Sequence, residues 1–197
     1  MRTPQNIELL MKAAIDGNDA EVRRLIPLCN PTHYGSHALL RAAENGHVEC
    51  VRLLIPVSNL KDPQCRALHY AAEWGHAECV KLLLPVSDPQ ENENSALRIA
   101  CYRGHIDCVK LLLPVSNPCI QNSLPLQLAC HGGHNDIVDL LFDVCDPHAA
   151  LTSLRTNTDI EPQMWLYLEE KLNRQRQHTV LTLATESDKH VLRNRKI

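Results

Sequence analysis

Aromatic residues are scarce in this 197-residue chain, which contains one phenylalanine, two tryptophans and four tyrosines. Leucine, alanine and valine supply most of the apolar content, which suits thin layers of short helices better than one large core. No apolar run approaches the roughly 18 residues that a membrane-spanning helix needs. The N-terminal segment also lacks the apolar core of a signal peptide. From these absences we expect a cytoplasmic protein.

Strong net charge is absent as well. The formal charge of −3 at pH 7 gives no strong overall attraction to nucleic acids or anionic membranes. The charge is uneven, because residues 171–197 carry seven basic and two acidic residues. Weak binding of nucleic acid or anionic lipid through this basic C-terminal segment is therefore an alternative function, and a solvated helix end is the simpler interpretation.

Motifs of catalytic sites are also missing. The sequence contains no G-x-S-x-G, no phosphate-binding Gly-Lys-Ser loop, no H-E-x-x-H and no C-x-x-C. Its nearest approach to a metal cluster is Cys130, His131 and His134, two of which are repeat positions. We expect no catalysis by this chain alone, no metal site and no cofactor. Regulation of an enzyme carried by another chain is a further alternative.

One pattern occurs five times at a spacing of 29 residues. Its register is set by Gly17, Gly46, Gly75, Gly104 and Gly133. A short apolar stretch precedes each glycine and a longer one follows it, such as ECVKLLLP at 78–85. A period of this length indicates stacked supersecondary units. We expect each unit to be a helix, a tight turn closed by glycine at positive φ, and an antiparallel helix.

Seven of the nine cysteines follow the same register. Cys50, Cys79 and Cys108 occupy one repeat position, where the fifth copy has Ile137. A position that accepts either cysteine or isoleucine is a packing site, because a buried thiol behaves as a small hydrophobic group. The cysteines are therefore predicted to be structural thiols in a reducing compartment.

The repeats resemble the ankyrin repeat. RALHYAAEWGHAECVKLLL at 66–84 and SALRIACYRGHIDCVKLLL at 95–113 are similar to its T-P-L-H-x-A-A and G-H signature with a second helix that ends in paired leucines. The resemblance covers about residues 5–147. The family period is about 33 residues, so each copy here is shorter. Prolines stand where the family's β-hairpin loop begins, at Pro27, Pro56, Pro85 and Pro114.

The resemblance and the prolines together predict an all-α, ankyrin-like helical repeat solenoid. Its shortened loops are expected to leave the helix before the proline and to form little or no β-hairpin. Residues 1–147 are predicted to form the array, with the first repeat as an N-terminal cap that carries Lys12 at an otherwise apolar position. Residues 148–197 are predicted to be a helical C-terminal cap with a basic tail.

The C-terminal cap is expected to contain two helices. The segment 164–175 places Trp165, Leu168 and Leu172 along one helical stripe. Pro162 suits the first turn of that helix. A further helix is expected over about residues 179–193.

Candidate binding residues lie where the copies differ, mainly in the pair before each glycine. In ankyrin proteins these positions line the concave surface, so the resemblance implies a ladder of contact residues there. Trp74, Tyr102 and Arg103 are of the types enriched in interface hot spots, and Glu44 and Glu73 are expected to make the surface acidic. The predicted partner-binding residues are Arg41, Glu44, Asn45, Arg66, Tyr70, Glu73, Trp74, Arg98, Tyr102, Arg103 and His131.

The function that the resemblance implies is a non-catalytic protein–protein interaction module. We expect it to bind another protein through its concave surface, as an adaptor, an inhibitor or a host-directed effector. The free protein is expected to be a monomer.

Overall fold

The computed structural model describes residues 4–29, 31–60, 66–155 and 160–194. Throughout these ranges the regular structure is helical and no β-strand occurs, which confirms the predicted all-α class. The helices are α1 (Pro4–Asp16), α2 (Asp19–Leu25), α3 (Pro31–Glu44), α4 (Val48–Leu54), α5 (Ala67–Glu73), α6 (Ala77–Leu83), α7 (Glu91–Arg103), α8 (Ile106–Leu112), α9 (Ile120–His131), α10 (Asn135–Phe142), α11 (Pro147–Leu154) and α12 (Pro162–Asn194).

Each repeat contributes one helix to each of two layers. The first helices, α1, α3, α5, α7 and α9, stack on one another, and the second helices, α2, α4, α6, α8 and α10, form a parallel stack behind them. α11 packs on α9 and so continues the inner layer. α12 contacts α10 through an ion pair between Lys171 of α12 and Asp139 of α10, at 2.5 Å. A helix pair of different sequence therefore follows the fifth repeat, and the domain boundary at residue 147 stays a prediction.

The core is a column of small and medium side chains. Leu39, Leu68 and Leu97 are buried at one position of successive inner helices, and Val51 and Val80 at one position of the outer helices. The paired small residues four and three positions before each glycine, such as Ala42 and Ala43, are buried too. Their small size lets neighbouring inner helices approach closely. Full burial of each Leu or Val contributes about 1.5–3 kcal/mol. Because every unit repeats these positions, the core is continuous along the stack and needs no large aromatic residues.

The register glycines end the inner helices as predicted. All five have positive φ, from 70° at Gly17 to 83° at Gly104. In the third unit the backbone N–H of His76, one residue after Gly75, donates to the carbonyl of Ala71 at 2.9 Å. This bond closes a Schellman turn, whose left-handed position favours glycine.

The loops that contain the prolines are short, but the chain leaves the helical conformation after the proline, and not before it as was predicted. Pro56 lies inside a 3₁₀ turn over Ile55–Val57, and Ile55 before it keeps helical angles (φ −47°, ψ −54°). The chain becomes extended only at Ser58 (φ −99°, ψ 148°). Ile55 packs against the core, and this packing outweighs the bias that proline imposes on the residue before it.

The first turns of α7 and α9 contain left-handed residues that the sequence did not predict. Residues 92–94 have φ of 49°, 58° and 58°, and residues 121–123 have φ of 48°, 57° and 62°. For residues other than glycine this conformation costs about 1–2 kcal/mol each. Side chains offset the cost: Asn94 exchanges hydrogen bonds with the backbone of Asn117 at 3.2 and 3.3 Å, and Gln127 donates to the carbonyl of Asn122 at 2.8 Å.

The C-terminal cap differs from its prediction in two respects. α12 is one continuous helix over Pro162–Asn194, where two helices were expected. Its buried stripe is Met164, Leu168 and Leu172, at a spacing of four residues, and Trp165 lies half-exposed at its edge. Residues 195–197 of the basic tail lie outside the described residues. No described helix, α12 included, combines the length and apolarity required to cross a membrane.

The cysteines occupy packing positions, as predicted. Of the eight cysteines that the structure describes, seven are buried and Cys119 is exposed. Burial raises the pKa of Cys79 and of Cys108 to about 11, and that of Cys130 to about 12. These thiols are therefore protonated and poorly nucleophilic at neutral pH.

Candidate partner-binding surface

The turns along the array are locked together by one recurring contact, which we call the Gly–His joint. In each joint a histidine imidazole lies on the register glycine of the preceding repeat. A Cβ added to Gly75 would lie 2.6 Å from Nδ1 of His105, so only glycine fits beneath the ring. The same contact joins Gly17 to His47, Gly46 to His76, and Gly104 to His134.

Each joint also contains a hydrogen bond between repeats. Nε2 of His105 lies 2.9 Å from the carbonyl oxygen of Glu73, and the other three joints have equivalent distances of 2.8–3.0 Å. Because a carbonyl can only accept, Nε2 carries the proton. The backbone of the residue two positions before each of these glycines is therefore held by the following repeat. Its side chain takes no part in the joint and can differ from repeat to repeat.

The inner surface is the face formed by side chains of α1, α3, α5, α7 and the part of α9 up to Leu128, and by the turns that follow α1, α3, α5 and α7. Trp74 and Tyr102 project from neighbouring turns of this surface, with exposed fractions of 55% and 45%. Tryptophan and tyrosine are among the residue types enriched in interface hot spots.

Trp74 closes one end of a hollow of about 400 Å³ on the inner surface. The hollow spans the first three repeats, and four of its lining residues were predicted as binding residues. It is lined by Met11, Ile15, Arg41, Glu44, Asn45 and Trp74.

Tyr102 borders a second hollow of about 290 Å³. This hollow spans the third to fifth repeats and is mostly apolar, with Ile99 and Leu128 as its floor. Of its residues, the sequence predicted only Arg98 and Tyr102 as binding residues. Ile99 and Leu128 share a repeat position at which the first two copies carry Lys12 and Arg41, and this contrast was the available signal. Both side chains are half-buried against the core. The hollow is lined by His69, Ser95, Arg98, Ile99, Tyr102 and Leu128.

The expected acidic character of the inner surface is wrong, because the carboxylates are paired within the array. Arg41 pairs with Glu44 at 2.7 Å, and Arg103 pairs with Glu73 of the preceding repeat at 2.8 Å. The Arg103 guanidinium also lies 6.0 Å from the centre of the Tyr102 ring. The charges between the two hollows thus neutralise one another.

His69 adds no positive charge at neutral pH. Burial lowers the pKa of His69, against the opposing effect of the Glu73 carboxylate 3.8 Å away. The imidazole packs edge-on against Tyr70, with ring centres 5.4 Å apart. Tyr70, which was predicted as a contact residue, is half-buried and lines neither hollow.

The remaining predicted residues lie in other places. Arg66 lies at the start of α5, beside a small crevice on the loop side of the array. Arg98 donates to the carbonyl of Asn92 at 3.0 Å and so braces a left-handed turn as well as lining the second hollow. His131 borders a separate opening at the C-terminal end. The surface therefore unites Trp74 and Tyr102 with their neighbours, and Arg66 and His131 lie apart from it.

Across the described ranges, no group of three or more His, Cys, Asp or Glu residues is placed to hold a metal ion. Cys130 is buried in the core, and His134 is part of a Gly–His joint. Two of the three residues of the sequence's nearest metal-like cluster thus have structural contacts.

The family model described as ankyrin repeats (3 copies) matches residues 10–93 and 85–151. The matches cover most of the chain and all of the Gly–His joints. No curated protein matches the sequence. The helix pairs, the glycine turns and the family match agree, and the chain belongs to the ankyrin-repeat family, whose members are generally protein–protein interaction modules and typically non-catalytic.

Proposed function

We propose that this protein is a non-catalytic interaction module that binds a partner protein through its inner surface, in the cytoplasm of its own or a host cell. It acts by occupancy, as an adaptor, an inhibitor or a host-directed effector. The observation that carries the proposal is the pair of exposed aromatic residues, Trp74 and Tyr102, beside two hollows on one face. Aromatic groups in such positions dominate the binding energy of protein interfaces.

The partner contact is expected to be mainly apolar. Arg41, Glu44, Glu73 and Arg103 already pair with one another, so a partner gains little by adding a charge opposite them. The two hollows offer Ile15, Ile99 and the aromatic rings instead. Binding should therefore depend weakly on salt, whereas binding through the basic C-terminal segment would weaken steeply as salt rises.

The test is capture of partners from cytosol by the tagged full chain, read by mass spectrometry. Trp74→Ala/Tyr102→Ala removes both aromatic anchors without touching the core. Arg103→Glu is a poorer choice, because it would place a carboxylate beside Glu73. Leu166→Ala is the matched control, since Leu166 is 69% exposed but lies on α12.

We expect a partner that wild type and the Leu166→Ala variant retain and the double variant loses, by at least tenfold in affinity once the partner is purified. A partner that all three proteins bind equally would refute the inner surface as the binding site. Circular dichroism of the double variant establishes that it remains folded.

A further inference from the structure

The last register glycine lacks the contact that the other four make. Gly133 has the same left-handed conformation, with φ of 74°, but a Cβ added there would meet no atom of the described residues within 4 Å. At Gly17, Gly46 and Gly75 the equivalent Cβ would lie 2.5–2.6 Å from an imidazole nitrogen. The fifth repeat thus presents the lower half of a Gly–His joint.

The sequence explains why no ring lies there. The residue 29 positions after His134 is Gln163, and Pro162 stands in the register of the next glycine. Both lie in the first turn of α12. The unit that follows the fifth repeat therefore supplies no imidazole at this position.

An opening of about 310 Å³ remains beside Gly133. His131, Gly132 and Asn135 of the fifth repeat line it, together with Glu161 and Gln163 of the C-terminal cap. This volume reaches the lower limit of sites that hold small ligands. The lining is mainly polar and includes an exposed carboxylate, Glu161, which favours a ring that carries N–H groups or a positive charge.

We propose that this opening receives the imidazole side chain of a histidine from a partner protein, which completes a fifth Gly–His joint between molecules. The shape of the ligand is read from the four intact joints of the same chain, where a flat five-membered ring with an N–H donor lies on a bare glycine backbone. Glu161 and Gln163 add polar groups that the inner joints lack. The site is separate from the inner surface and does not depend on its occupancy.

The occupant is a different protein rather than a second copy stacked head to tail. In the first repeat the register position of the histidines holds Asn18. Asn18 accepts a hydrogen bond from the backbone N–H of Glu21 at 3.0 Å and so caps α2. The first unit of another copy would therefore bring no ring to Gly133.

The test uses N-acetyl-histidine-N-methylamide as the probe, titrated into the ¹⁵N-labelled full chain and followed by NMR. We expect saturable shifts of the backbone amides of Gly132, Gly133 and Asn135, with a millimolar dissociation constant. The corresponding capped phenylalanine and asparagine should shift these amides at least tenfold less at equal concentration. Equal shifts with all three probes, or shifts confined to other residues, would overturn the proposal.

Two variants locate the site. Gly133→Ala places a methyl group where the ring would lie. Gln163→His supplies an imidazole from the chain itself, which would compete with the probe, and it leaves the left-handed backbone at Gly133 unchanged. Either folded variant should weaken the shifts at least fivefold, whereas Trp74→Ala on the inner surface should leave them unchanged. If both variants bind the probe as wild type does, the proposal is wrong. Because Trp74→Ala affects only the inner surface, the two proposals fail independently.

Discussion

The inner junctions of the array and its C-terminal junction are built differently. Four junctions between repeats have a histidine ring on a glycine. In two of the repeats a side chain of the inner helix, Ser36 or Asn94, also accepts a hydrogen bond from the loop that follows the repeat. The C-terminal junction keeps the loop contact, since Ser123 Oγ accepts from the backbone N–H of Asp146 at 3.1 Å, but lacks the ring. In its place Lys171 and Tyr167 of α12 contact Asp139 at the surface. A hydrogen bond to a backbone N–H can form with a loop of different sequence, because every residue except proline has that group. The contact between a ring and a glycine requires that particular pair of residues.

The largest effect is expected from Gly75→Ala. The new methyl group would displace His105 and occupy a left-handed position, so we expect a loss of about 2–4 kcal/mol in the free energy of unfolding. Gly133→Ala is the matched control, because its φ is nearly the same and no ring lies above it. It should cost only about 1–2 kcal/mol. Urea denaturation measures both, and equal losses would show that the ring contact contributes nothing.

His105→Ala tests the same joint from the other side. It leaves the carbonyl of Glu73 without its donor and opens a gap above Gly75, so a loss of about 1–3 kcal/mol is expected. In the His105→Ala background, Gly75→Ala should cost at least about 1 kcal/mol less than in wild type, because the clash has gone. Additive losses in this double-mutant cycle would contradict the joint.

Ser123→Ala should have a smaller effect of about 1 kcal/mol, because the backbone N–H of Asp146 loses its acceptor in a partly buried hydrogen bond. Thr152→Ala is the control, since its hydroxyl donates within α11 at an exposed position. That change should alter the free energy of unfolding by less than about 0.5 kcal/mol. If the two variants are equally stable in urea, the loop contact is not part of what holds α11 in place.

The smallest effect concerns pH at the C-terminal junction. Burial opposes ionisation of Asp139, but hydrogen bonds from Lys171 and Tyr167 outweigh it and lower its pKa. Its contribution is therefore present above the pKa of the unfolded chain and is lost as pH falls through the depressed folded value. Because the group is about half exposed, we expect less than about 1 kcal/mol. The difference in the free energy of unfolding between wild type and Asp139→Asn, measured by urea denaturation, should shrink as pH falls from about 5 to about 2, the range in which carboxylates titrate. A difference that stays constant over this range would contradict this assignment.

Tyr167 makes the stability of the same junction depend on pH in the alkaline range as well. Burial first, and then the hydrogen bond to Asp139, raise the pKa of Tyr167 to about 12. The neutral phenol is thus favoured in the folded protein, and its contribution is lost as pH rises above the unfolded value of about 10. Absorbance titration of the phenolate at 295 nm, compared between wild type and Asp139→Asn, should show one tyrosine that titrates later in wild type.

The sequence predicted what every repeat shares, because five copies of one pattern average out local ambiguity. The helix pairs, the positive φ at the glycines and the lack of β-hairpins follow from that periodicity. His76 and its equivalents were visible as a recurring residue, but their partner lies 32 residues earlier and leaves no mark in local spacing. The left-handed turn at residues 92–94 contains no glycine, so no signal marked it. The charge of the surface was misjudged because Arg103 pairs across repeats with Glu73.

The buried cysteines give the array a set of internal reporters. Cys50, Cys79 and Cys108 occupy one position in three successive units, and each is almost completely inaccessible. A thiol-alkylating reagent therefore reaches each of them only when that unit opens. The rate of alkylation at each site under native conditions would measure the opening of the array unit by unit, without any engineered label.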